Sequence, residues 1–302
     1  MRKNKIQRVD IKIGFACNNH CKFCIQGNKR NTIPMRPEKE IQKNLKQSFQ
    51  AGIREVVFTG GEPALHPRLL NLIKFAKFLG YKQIQVQTNG RLFAYLDFCK
   101  KAITAGANEF GVSLHGHSAK IHDFLTSAPG SFNQTIQGIK NLKSLNQIVM
   151  TNTVITTKNY KYLPEIANFL IKLKVDQFQF AFLHIGGTVL KNQNWIIPRK
   201  KNVIPYVKKG LELGRKAGKK MMVEAIPFCL MEGYERYVSD VYIPPTKSYD
   251  AGYVIKDHTK YRLNEGKIKH SNCRKCRYFD ICEGPWREYP EIFGWDEFKP
   301  VN

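Results

Sequence analysis

The sequence predicts an α/β fold: a partial (β/α)6 barrel of the TIM type, followed by a small cysteine-bearing C-terminal extension. Three observations lead there. Over the first two-thirds, short apolar runs of strand length alternate with amphipathic stretches of helix length, the rhythm of parallel βαβ units. The chain has 302 residues, 42% of them hydrophobic, enough for one substantial core with or without an appendage. After Pro227 the rhythm breaks, and aromatic, Pro- and Gly-rich text takes over with four of the eight cysteines.

Taken in order, the strands are expected at Val9 to Phe15, Glu55 to Phe58, Gln83 to Gln87, Glu109 to Leu114, Ile148 to Ile155 and Gln177 to Phe182. The helical patterns between them cover Glu38 to Gln50, Pro67 to Leu79, Leu92 to Ala105, Ser131 to Leu145 and Tyr162 to Leu173. A further helix fits Val203 to Ala217, and "MMVEAI" after it is strand-like. The domain boundary is placed near residue 220, giving a barrel over 1–220 and an extension over 221–302.

Runs such as "EVVF" and "IVM" fall far short of the roughly 20 apolar residues that cross a bilayer. The opening "MRKNKIQRVD" has no apolar core resembling a signal peptide, so a cytoplasmic protein without membrane contact is expected. In a reducing compartment, clustered cysteines argue for metal rather than disulfides. The net charge of +25 is concentrated in residues 1–50, 191–220 and 256–277. Such clustering fits RNA or another polyanion, and equally a set of solvated lysine faces.

Cys17, Cys21 and Cys24 lie in one loop after the first expected strand, at the end where βα barrels gather their active-site groups. Four thiolates close a [4Fe–4S] cube, so three leave one iron open to bind a ligand. A zinc site completed by His20 is the alternative, although Cys-x3-Cys-x2-Cys is an unusual spacing for a zinc ribbon. At the next strand end stand Gly60, Gly61, Glu62 and Pro63. Two glycines would let a ligand lie against bare backbone, and Glu62 offers a carboxylate to an ammonium group.

Together these residues resemble the radical S-adenosylmethionine (radical SAM) enzymes. Cys17, Cys21, Phe23 and Cys24 match the signature Cys-x3-Cys-x-aromatic-Cys, and Gly60 to Pro63 match its GGE(P). "QTNG" at Gln87 to Gly90, "SLHG" at Ser113 to Gly116 and "TNTVITTKNY" at Thr151 to Tyr160 extend the likeness. The resemblance implies a [4Fe–4S] cluster whose open iron chelates the amino and carboxylate groups of S-adenosylmethionine. It implies reductive cleavage to a 5′-deoxyadenosyl radical that takes hydrogen from a substrate, fed by a low-potential donor such as flavodoxin or ferredoxin. By the same resemblance Phe23 packs near the adenine, Glu62 and the glycine backbone receive the amino group, and Ser113 and Asn152 are cofactor contacts. One departure stands out. Several relatives carry a carboxylate-binding arginine in a His-Asp-x-x-Arg context after the fourth strand, where this chain has Thr126.

In the extension, Cys229 with Cys273, Cys276 and Cys282 makes four ligands, enough to close a second, auxiliary [4Fe–4S] cluster, with zinc as the competitor. The spacing resembles the twitch and SPASM extensions of radical SAM enzymes, many of which act on peptides or proteins; Trp286 stands where a full SPASM pattern has its next cysteine. Cys99 reads as a core residue. His115 and His117 lie at a strand end and read as structural before functional, while His184 follows the sixth strand, where an adenine or substrate contact fits. Trp286, Phe293 and Trp295 are expected to bury against the barrel. The leading functional expectation is therefore a peptide- or protein-modifying radical enzyme, with an RNA-modifying one second and a non-catalytic iron–sulfur or zinc protein third.

Overall fold

A computed structural model describes residues 5–302. In chain order the elements are β1 (Arg8–Lys12), α1 (Lys29–Thr32), α2 (Glu38–Gln50), β2 (Glu55–Thr59), α3 (Leu69–Leu79), β3 (Gln83–Thr88) and α4 (Leu96–Ala105). Then come β4 (Glu109–Ser113), α5 (Ala119–Thr126), α6 (Ser131–Ser144), β5 (Ile148–Ile155), α7 (Leu163–Lys172), β6 (Gln177–Phe182), α8 (Val189–Ile196) and α9 (Lys200–Lys216). The last are β7 (Lys220–Glu224), β8 (Thr246–Tyr249), β9 (Val254–Ile255), α10 (His258–Tyr261) and α11 (Glu288–Phe293).

The strands form one nine-stranded sheet in the order β7-β6-β5-β4-β3-β2-β1-β8-β9. Every pairing is parallel except β8 with β9, as expected of a partial barrel built from βα units. Alternation along the strands separates two faces. Val9 and Ile11 of β1 and Phe178, Phe180 and Phe182 of β6 are fully buried with helix residues such as Ile41, Leu45, Leu72 and Ile73. Each such side chain contributes roughly 1.5–3 kcal/mol by leaving water. The opposite face is polar: Thr59 donates to Gln87 at 2.9 Å, Gln83 to Glu109 at 2.7 Å, and Gln179 to Glu224. Closed barrels fill that space with branched apolar side chains.

The six expected strands are all present. β1 ends at Lys12, short of the expected Phe15, because the next carbonyls turn to accept from the β2 loop: Gly61 N–H donates to Gly14 O at 2.9 Å and Glu62 N–H to Ala16 O at 2.8 Å. The expected helix Leu92 to Ala105 is split into a 3-10 turn at Leu92–Ala94 and α4. Asn141 Nδ2 reaches the freed carbonyls of Phe93 and Ala94 at 3.0 and 2.9 Å, which stabilises the break. Of the elements that were not anticipated, three bear on the barrel. α5 buries His122 and Thr126 beside Leu125, so its core face is partly polar, and α8 buries only its two end residues. β8 lies in the extension yet pairs with β1, Arg8 opposite Thr246. Among the described residues no helix is long and apolar enough to cross a membrane.

Candidate active site

The three-cysteine loop is fixed on three sides. On the β2 side the close approach leaves no room for side chains: a Cβ on Gly60 would lie 2.0 Å from Gly14 O, and one on Gly61 would lie 2.2 Å from Phe15 O. The glycines therefore serve first to seat the chain's own cysteine loop. On the α5 side, His20 and Lys22 donate their N–H groups to Thr126 O and Leu125 O at 2.8 and 2.9 Å. Beyond β6, Thr188 N–H donates to Cys24 O at 2.9 Å. Two guanidinium groups brace the loop from outside. Arg30 Nη1 donates to Asn19 O at 2.7 Å and lies 2.7 Å from His20 Nδ1. Arg91 Nη1 donates to Asn18 O and, at 3.0 Å, to Asn19 Oδ1.

Cys17, Cys21 and Cys24 are free and partly accessible. Burial pushes the Cys17 and Cys21 thiols up, Cys21 the further. Thiolates there need a nearby positive charge, which bound iron supplies. Asn19 N–H and Asn89 Nδ2 face Cys17 Sγ at 3.4 and 3.9 Å. Among the described residues, no three His, Cys, Asp or Glu side chains gather closely enough to hold a single metal ion. His20, the fourth ligand of the zinc alternative, is exposed and engaged with Arg30.

Around this loop the strand ends supply a polar shell. Glu62 is 3% exposed; its Oε1 accepts from Thr88 Oγ1 at 2.7 Å and Ala64 N–H at 2.9 Å, and its Oε2 from Asn89 N–H at 2.6 Å. A carboxylate has about four acceptor sites, so one is left. Burial pushes the Glu62 carboxyl up, and those hydrogen bonds and the Arg91 charge pull against it. Pro63, buried, opens the short turn that follows. Ser113 and Asn152 face each other in register on β4 and β5. Asn152 Oδ1 is buried without a partner among the described residues, an acceptor that fits a ligand's donor; Thr151 Oγ1, also unpartnered, lies on the opposite, core-facing side of β5. Phe23, 8% exposed, meets the His115 ring edge-on at 4.6 Å. His115 Nδ1 accepts from Val154 N–H at 3.2 Å, and burial drives its pKa well down, so the ring is neutral. Thr126 is buried, with Oγ1 on His122 O at 3.0 Å and Ser131 Oγ at 2.8 Å. His117 packs against Tyr162, away from this shell's hydrogen bonds. Cys99 is fully buried in the core, as expected.

Cys229 lines one cavity together with Cys273, Cys276 and Cys282, more than forty residues further along the chain. Phe228, Tyr278, Trp295 and Phe298 wall it. Burial pushes the Cys229 thiol up to about 12 and that of Cys282 in the same direction. Two residues after β6, the His184 ring lies 3.8 Å from that of Trp286, tilted by 36°, and Lys267 Nζ lies 3.9 Å over the same indole. Trp286 is buried as expected, while Phe293 and Trp295 are partly buried against the core. Sequence reasoning missed Asn89, Arg91 and Lys267. Arg91 directly follows "QTNG", so a charged residue beside a recognised strand-end motif was the available signal.

A family model described as "Radical SAM superfamily" matches residues 11–170. A protein of Sulfurisphaera tokodaii named "Probable GTP 3',8-cyclase" is 32% identical over 183 residues, 60% of this chain and 58% of that protein. An "AdoMet-dependent heme synthase" of Oleidesulfovibrio alaskensis is 30% identical over 152 residues, 50% of this chain and 39% of that one. The chain thus spans less than two-thirds of the length of these curated relatives. Among solved structures, Streptococcus suis SuiB bound to precursor peptide SuiA superposes with a TM-score of 0.70 at 17% identity, covering 99% of this chain and 76% of that one. The anSMEcpe structure with bound AdoMet and Cp18Cys peptide gives 0.67 at 14% identity, covering 98% and 93%. At such identities the likeness is one of fold.

Proposed function

The chain belongs to the radical SAM superfamily, and from that premise we propose that it is an enzyme acting on a peptide or protein, with its extension over 221–302 holding an auxiliary [4Fe–4S] cluster. The observation that carries this reading is the convergence of Cys229, Cys273, Cys276 and Cys282 on one cavity beside the barrel end. A complete set of four thiolates leaves no iron for a ligand, which suits electron transfer. The superposition reaches through this extension onto two structures that hold a bound peptide.

When bound at Cys17, Cys21 and Cys24, the first cluster with S-adenosylmethionine supplies one-electron cleavage of a sulfonium and hydrogen abstraction. The chain's residues bind, orient and exclude water. Glu62 has one acceptor site left for an ammonium group, Asn152 and Ser113 would receive the donors of a ribose, and Phe23 would offer an apolar surface to the adenine. The neutral His115 keeps a second charge away from that edge.

The test is 5′-deoxyadenosine formation by anaerobically reconstituted protein with a low-potential reductant, alone and with synthetic peptides, RNA or GTP. Product that depends on Cys17 and rises with peptide supports the proposal. A rise with RNA or GTP alone overturns the peptide assignment, and no product with full iron content overturns the enzymatic reading.

A further inference from the structure

The methionine end of S-adenosylmethionine carries an ammonium and a carboxylate on one carbon, so the groups that receive them must be neighbours. Glu62 is a receiver for the first. The arginine that relatives use for the second is absent: Thr126 stands there, buried, its hydroxyl committed to His122 O and Ser131 Oγ. Two other guanidinium groups touch the cysteine loop. Arg30 is bonded to Asn19 O and sits beside the exposed His20, and its charge acts on Cys17 and Cys21. Arg91 lies two residues after Asn89, whose N–H is on Glu62 Oε2, and it acts on Glu62 and His122.

Arg91 is also only partly used. Nε is spent on Gln134 Oε1 at 2.6 Å, and Nη1 on Asn18 O and Asn19 Oδ1, whereas Nη2 has no partner among the described residues. Its two protons lie along the edge of a fork whose other donors are locked to α6 and to the cysteine loop. A side chain pinned at three points loses little freedom on gaining a fourth contact, and guanidinium geometry matches a carboxylate.

We propose that Arg91 receives the carboxylate of S-adenosylmethionine, replacing from the β3 end the arginine that Thr126 displaces after β4. This rests on the cofactor reading of the site given above. The bracing of Asn18 and Asn19 then has a second consequence: the loop that holds the cluster and the group that holds the carboxylate move as one body.

The experiment is equilibrium dialysis, anaerobic and with the cluster oxidised so that nothing is cleaved. S-adenosylmethionine is compared with its decarboxylated analogue in wild type, Arg91→Met, Arg91→Lys and, as a control for loop bracing, Arg30→Gln. Loss of a charge-assisted hydrogen bond predicts about 10- to 100-fold weaker binding of S-adenosylmethionine by Arg91→Met. Binding of the analogue should fall far less, so the preference between the two narrows by that factor. Arg30→Gln keeps the wild-type preference, and Arg91→Lys gives an intermediate one, which decides the matter should Arg91→Met fail to load iron. Equal loss of both ligands in the Arg91 variants, or of neither, overturns the proposal and leaves Arg91 a brace. If iron-loaded wild type binds neither ligand, the cofactor reading itself fails, and this inference with it.

Discussion

Replacing Gly61 by alanine tests whether the glycine pair seats the cysteine loop. Its φ is not in the left-handed region, so backbone strain contributes nothing, and any effect comes from the new methyl group. That Cβ would lie 2.2 Å from Phe15 O and 2.5 Å from Ala16 O. Both are backbone atoms one and two residues before Cys17, and neither can move without carrying the loop along. Overpacking of this kind costs about 1–3 kcal/mol. Displacing Gly14–Ala16 also breaks the Gly61 N–H to Gly14 O and Glu62 N–H to Ala16 O bonds, at about 1 kcal/mol each. The expected loss is therefore about 3–5 kcal/mol, a large share of a typical folding free energy. In anaerobic urea unfolding of the iron-free protein, the midpoint should fall by roughly 1 M or more at unchanged slope. Iron bound after reconstitution should fall with it. Gly111→Ala, whose Cβ meets nothing closer than 3.7 Å, is the comparison and should leave both unchanged. A Gly61→Ala protein with the wild-type midpoint and full iron would refute the reasoning.

Three further outcomes are expected. His122 is 1% exposed, and its pKa is lowered to about 4, chiefly by burial. Below its ordinary value of about 6.5 the unfolded chain binds the proton first, so stability should fall as pH drops from about 6.5 to 4, by about 3 kcal/mol, and His122→Gln should flatten that stretch of the curve in urea titrations. Reconstituted wild type should hold about eight iron atoms per chain, and Cys17→Ala and Cys282→Ala about four each by colorimetric assay; an unchanged count in either would remove that cysteine from its cluster. Asp250, with its side chain 1% exposed, accepts from Lys12 and Tyr253 and pairs with Lys29 at 3.5 Å, and so ties the extension to β1 and α1. Asp250→Ala should cost about 1–3 kcal/mol in the same assay and speed tryptic cleavage between residues 250 and 266, and an unaltered digestion pattern would argue against the tie.

Much of the fold was legible because it is written at short range. Alternation over five to eight residues marks a strand with one apolar face, and the buried Ile41 and Leu45 of α2 sit at the i, i+4 spacing that marks its helix. α5 escaped because its buried face uses His122 and Thr126, polar residues whose burial depends on partners such as the His115 N–H for the imidazole and, beside the His122 carbonyl, Ser131 for the hydroxyl. β8 escaped because four residues carry too little pattern to announce a strand whose partner, β1, lies more than two hundred residues away.

The site divides along the same line. Three thiols within eight residues, and GGEP at the next strand end, are local arrangements, so the sequence by itself determined that a three-cysteine loop follows the first strand and that a glycine pair with a carboxylate follows the second. Tertiary structure alone decided how the parts meet. It turned the glycines toward Gly14 and Phe15, left Glu62 a single open acceptor site, drew Cys229 into one cavity with three cysteines over forty residues away, and brought Arg91 to the loop that Thr126 only supports through its backbone. Spacing along a chain specifies which groups are near in sequence; which donors are already spent, and which remain free for a ligand, is a property of packing between segments that the sequence keeps apart.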